Sequence, residues 1–433
     1  MATEVRETEK KYEFEPGAVL PDLDDLPGVA QESAMTDQKL DADYYDTADL
    51  RLIRAGVTLR RRRGGSDQGW HLKLPLNGAS RREIQLPLGR GRQVPAELAR
   101  LVRAYARGET LRPVAKITTT RRGRALLDGA GESLAAVTTD DVTAQTMGES
   151  VTVTRWSEVE VELTSGGPGL LAAADKRLRR SGLRPAGHAA KLEQALAGQL
   201  PAADRERRRL TPGSAAGELA LSYARSQAAI VQSLDPMIRR DEPDSVHDMR
   251  VAIRRLRSTL KSAGKDMGMP AAGRLRAELK WLGGVLGEAR DNEVLASYLR
   301  ARLAEVPAEQ VMGPVQARVS AYFAPRAASA RAALLEALDS GRYLTLLNDL
   351  DRALRGPLPG QKARQPAADV WPAAVRRARR RVRRRARRAA RSPAGRPRRP
   401  PCTRPGRRRR TPGTSPRRQA RRAGPRTVVS PGG

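Results

Sequence analysis

Glu7, Glu9 and Lys11 stand two apart in Val-Arg-Glu-Thr-Glu-Lys-Lys-Tyr-Glu-Phe. In a β-strand, alternate side chains share a face, so two carboxylates and one ammonium point the same way. Clustered carboxylates suit a hard divalent cation such as Mg2+ or Mn2+, and neighbouring bases suit an oxygen-rich anion. A metal ion beside such an anion is the chemistry of a phosphate chain.

The pattern recurs downstream. Arg60 and Arg62 share a face, and Lys73 lies in Trp-His-Leu-Lys-Leu-Pro. Arg81, Glu83 and Gln85 alternate, and Glu158, Glu160 and Glu162 alternate with Val159, Val161 and Leu163. One such strand alone reads as an amphipathic strand with a solvated face. Five strands that mix acids and bases read better as a closed barrel, with charges inside and apolar faces packed outward against helices. Burying these charges dry costs several kcal/mol per ion, which predicts a wet tunnel. Bases outnumber what the acids would neutralise, so the expected ligand is anionic.

These residues resemble the CYTH domain, the triphosphate tunnel metalloenzyme family. The opening Glu-x-Glu-x-Lys is followed in order by Tyr44-Tyr45-Asp46-Thr47, Leu59-Arg60-Arg61-Arg62, Leu72-Lys73, the basic run from Lys116 to Arg124, Asp140-Asp141-Val142, the acidic strand and Lys191. The resemblance implies an α+β domain with an eight-stranded antiparallel tunnel and flanking helices. It implies that Lys11, Arg60, Arg62, Lys73, Arg81 or Arg82, Arg121 and Lys191 grip phosphate oxygens; Arg122 and Arg124 compete with Arg121 for register. It implies that Glu7, Glu9, Glu160 and Glu162 hold Mg2+ or Mn2+, with Asp140 and Glu158 as secondary candidates. Glu7, Glu9 and Lys11 are the candidate catalytic set, and a glutamate orients or deprotonates the attacking water.

After a polar, Pro/Gly-punctuated stretch at 201–214, Ala/Leu/Arg segments with helical spacing take over. On a helix, His247, Arg250, Arg254, Arg257 and Lys261 fall within an arc of about 80° beside an apolar stripe of Met249, Ile253, Leu256 and Leu260. Such a stripe is often only a solvated face, yet no acid after Asp248 relieves its repulsion. The segment resembles the CHAD domain, as does Leu-Gly-Glu-Ala-Arg-Asp-Asn-Glu-Val at 286–294. That resemblance implies an all-α helical bundle that binds inorganic polyphosphate through His247, Arg250, Arg254, Arg255, Arg257, Lys261, Lys280 and Arg290, with Asp291 orienting an arginine.

The expected organisation is a tunnel domain over 1–200, a linker over 201–214, a helical domain over 215–385 with an incomplete second half, and an Arg/Pro-rich disordered tail over 386–433. From Trp371 onward there are 24 Arg, no Lys and no acid; subtracting 24 from the formal +33 leaves +9 for the remainder. The tail therefore carries the extreme charge. A frame change in a GC-rich gene is our explanation for it: shifted reading of codons chosen for 401–409 yields Leu-His-Glu-Ala-Arg-Lys, a motif the CHAD resemblance leads one to expect there.

One cysteine, Cys402, excludes a disulfide framework, and His71, His188 and His247 are too scattered for a histidine metal cluster. No P-loop motif occurs. The 3% aromatic content argues against base stacking, and so against nucleic acid as the specific partner. No apolar run reads as a leader or a membrane span, so a cytoplasmic protein without a membrane partner is expected. The oligomeric state stays open. The leading expectation is metal-dependent hydrolysis of inorganic triphosphate or a related chain, with polyphosphate bound by the helical part. The alternative is a non-catalytic polyphosphate-binding protein. A nucleic-acid binder is disfavoured, because a DNA groove has no use for inward glutamates.

Overall fold

The computed structural model describes residues 3–15, 18–76, 80–148, 151–200 and 210–390. The chain divides after Pro372 into two units. Residues 201–209, most of the expected linker, and 391–433, most of the basic tail, lie outside the described residues.

Eight antiparallel strands close a barrel: β1 (Thr3–Phe14), β3 (Thr36–Asp46), β4 (Thr58–Arg63), β5 (Gly69–Pro75), β6 (Ser80–Leu86), β7 (Arg112–Leu127), β8 (Ser133–Thr146) and β9 (Val153–Leu163). Their order is β1-β6-β5-β4-β3-β7-β8-β9, with β9 returning to β1. Closure falls to the long first strand, whose Thr3–Thr8 half pairs with β6 and whose Glu9–Phe14 half pairs with β9. Two-residue strands β2 (Gln31–Glu32) and β10 (Arg184–Pro185) add to β7 and β1. At the β4–β5 turn, Gly64 has φ 80°, and a Cβ there would lie 2.2 Å from the Lys39 carbonyl oxygen, so only glycine fits.

Period-2 alternation decides what faces out. Leu59, Trp70, Leu72, Leu74 and Ile84 pack outward with Leu98, Leu101, Val102 and Tyr105 of α2 (Ala96–Leu101) and α3 (Arg103–Ala106). Val159 and Val161 pack with Leu170, Ala174 and Leu178 of α4 (Pro168–Arg180). Burial of each such side chain contributes roughly 1.5–3 kcal/mol, which is what lets the other face of each strand remain charged. The short α1 (Arg51–Arg54) is anchored by fully buried Asp46, whose carboxylate accepts from the backbone N–H groups of Thr47, Leu52 and Ile53.

One feature the sequence did not announce is α5 (Lys191–Ala195). Its Leu192 and Ala195, with the following Leu196, pack against inward-facing Ala42, Tyr44, Ile117, Val142 and Ala144. An apolar plug thus shares the barrel interior with the charged wall.

The remainder is helical: α6 (Ala216–Arg239), α7 (Ser245–Asp266), α8 (Ala272–Ala304), α9 (Val315–Asp339), α10 (Gly341–Arg355), α11 (Gln361–Arg364) and α12 (Ala367–Ala390). The expected apolar stripe of α7 is buried, with Met249, Ile253, Leu256 and Leu260 each at 0–1% exposure. Residues 212–215 are tied to 365–368 through the Ala215–Pro366 bridge and backbone bonds from Ala367 and Ala368. Ala104 of α3 belongs to the helical core, so the two folds share a helix. Among the described residues, no helix is long and apolar enough to cross a membrane.

Candidate active site

Inward faces of the barrel strands supply one cavity, and the principal tunnel candidates line it, whereas the secondary candidates Asp140 and Glu158 do not. Strand β1 gives Glu7, Glu9 and Lys11; β4 gives Arg60 and Arg62; β5 gives Lys73; β6 gives Arg81. Strand β7 gives Arg121, β9 gives Glu160 and Glu162, and α5 gives Lys191. Register explains the neighbours: Glu9 lies opposite Glu162, Lys11 opposite Glu160 and Glu7 opposite Arg81.

Two ion-pair centres organise the wall. In the first, Lys191 Nζ lies 2.8 Å from Asp140, 2.6 Å from Glu158 and 2.7 Å from Glu160. Arg121 forks onto both Asp140 oxygens at 2.7 and 2.6 Å and reaches Glu160 at 2.8 Å. Lys11 contacts Glu160 directly and Glu9 at 3.2 Å. Burial alone would pull Lys191 down, but its three carboxylates hold it above the ordinary lysine range. Burial would raise Glu160, and Lys11, Lys191 and Arg121 instead hold it well below the usual carboxylate range.

The second centre surrounds Glu7 and Glu83. Lys73 bonds Glu7 at 2.6 Å, and Glu83 takes His71 at 2.8 Å with Arg60 at 3.7 Å. Burial, opposed by Lys73 and reinforced by a hydrogen bond with Glu83, pushes Glu7 up to about 8. A carboxyl raised in this way stabilises the fold fully below its unfolded value of 4.5, and that contribution is lost as pH rises through about 8. We therefore expect the stability advantage of wild type over Glu7→Gln to shrink between about pH 5 and pH 8, measured as paired denaturant midpoints. A constant difference across that window would contradict the assignment.

Glu162 differs from the other acids. It forms no ion pair among the described residues, and burial together with repulsion from Glu9 and Glu160 raises its carboxyl despite Lys73. Asp140, Glu158 and Glu160 also come within 4.8 Å of one another, but Lys191 already serves that group as its cation.

Two expectations change and one is narrowed to the residue first named. Arg82, offered beside Arg81, points outward to Glu242 and Met237, because adjacent strand residues alternate. Among the competing arginines, Arg121 faces in, whereas Arg122 pairs with Asp141 and Arg124 with Glu32. The expected excess of bases does not hold: among the described residues seven bases line the cavity with six acids, and Asp140 and Glu158 beneath Lys191 bring the acids to eight. The wall is nearly self-neutralised. Glu83, Tyr44 and His71 were not assigned to the site. Glu83 carried a signal, since it alternates with Arg81; Tyr44 lines the cavity and accepts from Arg60 at 3.4 Å.

On α7, His247, Arg254, Arg255 and Lys261 are exposed, Arg250 and Arg257 half-buried, and Lys280 of α8 exposed. Arg250 donates to Asp291 at 3.0 Å, while Arg290 pairs with Glu293 at 2.8 Å and Asp244 at 3.4 Å.

Residues 6–191 match the CYTH domain family and residues 222–399 the CHAD domain family. Two Mycobacterium tuberculosis relatives, the uncharacterized proteins MT2285 (strain CDC 1551 / Oshkosh) and Rv2226 (strain ATCC 25618 / H37Rv), are each 34% identical over 392 residues, 86% of this chain and 75% of theirs. Among solved structures, PptA from Streptomyces chartreusis is similar at 20% identity over 39% of this chain and 58% of its own, with a TM-score of 0.33. With the two family matches in tandem and these relatives aligned across most of its length, the chain belongs to the CYTH domain proteins that carry a CHAD domain after the tunnel.

Proposed function

We propose that the tunnel hydrolyses inorganic triphosphate or a related linear phosphate chain with Mg2+ or Mn2+, and that the helical region binds polyphosphate. The observation that carries this reading is the single enclosed wall on which seven bases alternate with carboxylates. Lys11, Arg60, Arg62, Lys73, Arg121 and Lys191 are held by acids around the cavity and Arg81 by the Ala189 carbonyl, so a phosphate chain exchanges one set of oxygens for another. That exchange costs less desolvation than bringing the bases out of water would. Arginine adds two-point contact with phosphate oxygens.

Glu7, Glu9, Glu160 and Glu162 would hold the metal. The donor set fits a hard cation, being all carboxylate. Among the described residues Glu162 has no ion-pair partner, and it faces Glu9, paired to Lys11 alone, across β1–β9, which makes these two the most available; Glu160 is the least, with three cations on it. A bound divalent ion would polarise the phosphoryl oxygens and offset their growing charge. The protein's own bases orient the chain, and a wall glutamate positions the attacking water.

The test is phosphate release from tripolyphosphate by the full chain with Mg2+ or Mn2+ against a chelator control, followed by a panel of thiamine and nucleoside triphosphates. Release confined to the metal-containing reactions, strongest for the inorganic chain, supports the reading. Binding of tripolyphosphate without release under any metal would favour the non-catalytic alternative.

A further inference from the structure

Strand β6 touches both parts of the molecule. On its inner face Arg81 and Glu83 line the cavity, Arg81 fixed to the Ala189 carbonyl at 2.8 Å and Glu83 to His71 at 2.8 Å. Between them, on the outer face, Arg82 forms an ion pair with Glu242 and meets Met237 Sδ at 3.1 Å. Both partners belong to the helical region, Met237 in the last turn of α6 and Glu242 in the short turn before α7. The Arg82 and Glu242 side chains are 19% and 24% exposed, so the contact is largely shielded from water.

Other polar contacts cross the same junction, but from helix α3 and its cap rather than from the barrel wall. Arg103 donates to the Asp339 carbonyl at 2.8 Å, and Arg107 pairs with Asp351 at 3.0 Å. Arg82 differs from both in its one-residue separation from two wall residues. A strand backbone transmits a displacement at one residue to its neighbours on the opposite face, because the pleat fixes their relation.

We propose that Arg82 and Glu242 are positioning residues for the tunnel: their ion pair fixes β6 from the helical region and sets where Arg81 and Glu83 stand in the wall. The proposal rests on the tunnel being the phosphate site. It makes the helical region part of the site's framework, and not only an appended module.

The experiment uses the full-length chain with Glu242→Gln, Arg82→Met, the double variant, the charge-swapped pair Arg82→Glu with Glu242→Arg, and Arg107→Met as a junction control. Steady-state cleavage of tripolyphosphate and hydrogen exchange of the 80–86 segment are both read. Each single variant should raise KM about threefold or more while kcat changes less than about twofold. The double variant should be no worse than the worse single, and the swap should recover at least part of the loss. Exchange at 80–86 should rise in the single variants and not in Arg107→Met. Unchanged exchange at 80–86, unchanged KM, additive losses, or an equal KM effect from Arg107→Met would each overturn the proposal. Should wild type fail to cleave tripolyphosphate, the proposed activity falls, and KM is replaced by the Kd for tripolyphosphate. An unchanged Kd in the single variants, or no binding by wild type, then overturns the positioning role as well.

Discussion

Glu9→Gln is expected to reduce kcat/KM for tripolyphosphate by about 100-fold or more, the scale seen when a charge-stabilising group is removed from an enclosed site. The substitution keeps the shape of the side chain and removes its charge. Glu9 lies opposite Glu162 in the β1–β9 register and 3.2 Å from Lys11. Burial raises its carboxyl, but Lys11 first, then Lys73 and Arg81, hold it below the ordinary range, so it is ionised throughout the neutral region. Loss of that charge should weaken Mn2+ binding and phosphate release together. Lys11→Ala should abolish release as well, but it is the less clean variant. Lys11 pairs with both Glu9 and Glu160, and breaking a buried pair costs about 3–5 kcal/mol. Phosphate release measured beside a thermal midpoint separates the two causes. Wild-type turnover by Glu9→Gln would remove Glu9 from the machinery.

Much of this wall was legible because inward charge on alternating residues violates what a core face should be. Glu158, Glu160 and Glu162 could be assigned from the apolar Val159 and Val161 between them, which occupy the outer core. The run from Arg121 to Arg124 could not be resolved in the same way. Basic residues occupy both faces there, and only the bidentate bond to Asp140 from the neighbouring strand fixes which one turns in. Arg81 and Arg82 posed the same problem, and their answer lies in Glu242, 160 positions away. Local periodicity holds no information about such a contact.

The balance of charge was misread for a related reason. Counting bases along strands missed that Asp140 and Glu158 converge on Lys191, a residue delivered by a five-residue helix. The plug on α5 was equally hidden, since Leu192, Ala195 and Leu196 are too few to show a helical period. Elements of one turn take their conformation from tertiary packing more than from propensity. The shared helix α3 has the same origin: Ala104 is a good helix former, and nothing in its identity says that it is buried against the helical region.

The helical face gives the second large effect. Arg250→Glu with Arg254→Glu should lower retention on long-chain polyphosphate by at least tenfold, while tripolyphosphate cleavage stays within about twofold of wild type. Each reversal removes an attraction and adds a repulsion to a multivalent anion, so the change in local charge is four units. Arg250 is the better anchored of the two: it donates to Asp291 at 3.0 Å and lies against Gly287, which leaves room for its guanidinium. Reversal at 250 brings a second carboxylate beside Asp291 and repels the ligand from the most ordered part of the stripe. The apolar stripe of α7 is untouched, so the bundle should stay folded. Retention measured at several salt concentrations supplies the control, because ionic binding weakens as counterions screen it. Should both retention and cleavage collapse, the stripe would be acting through the tunnel, and the Glu242 turn that immediately precedes α7 would be the route to examine.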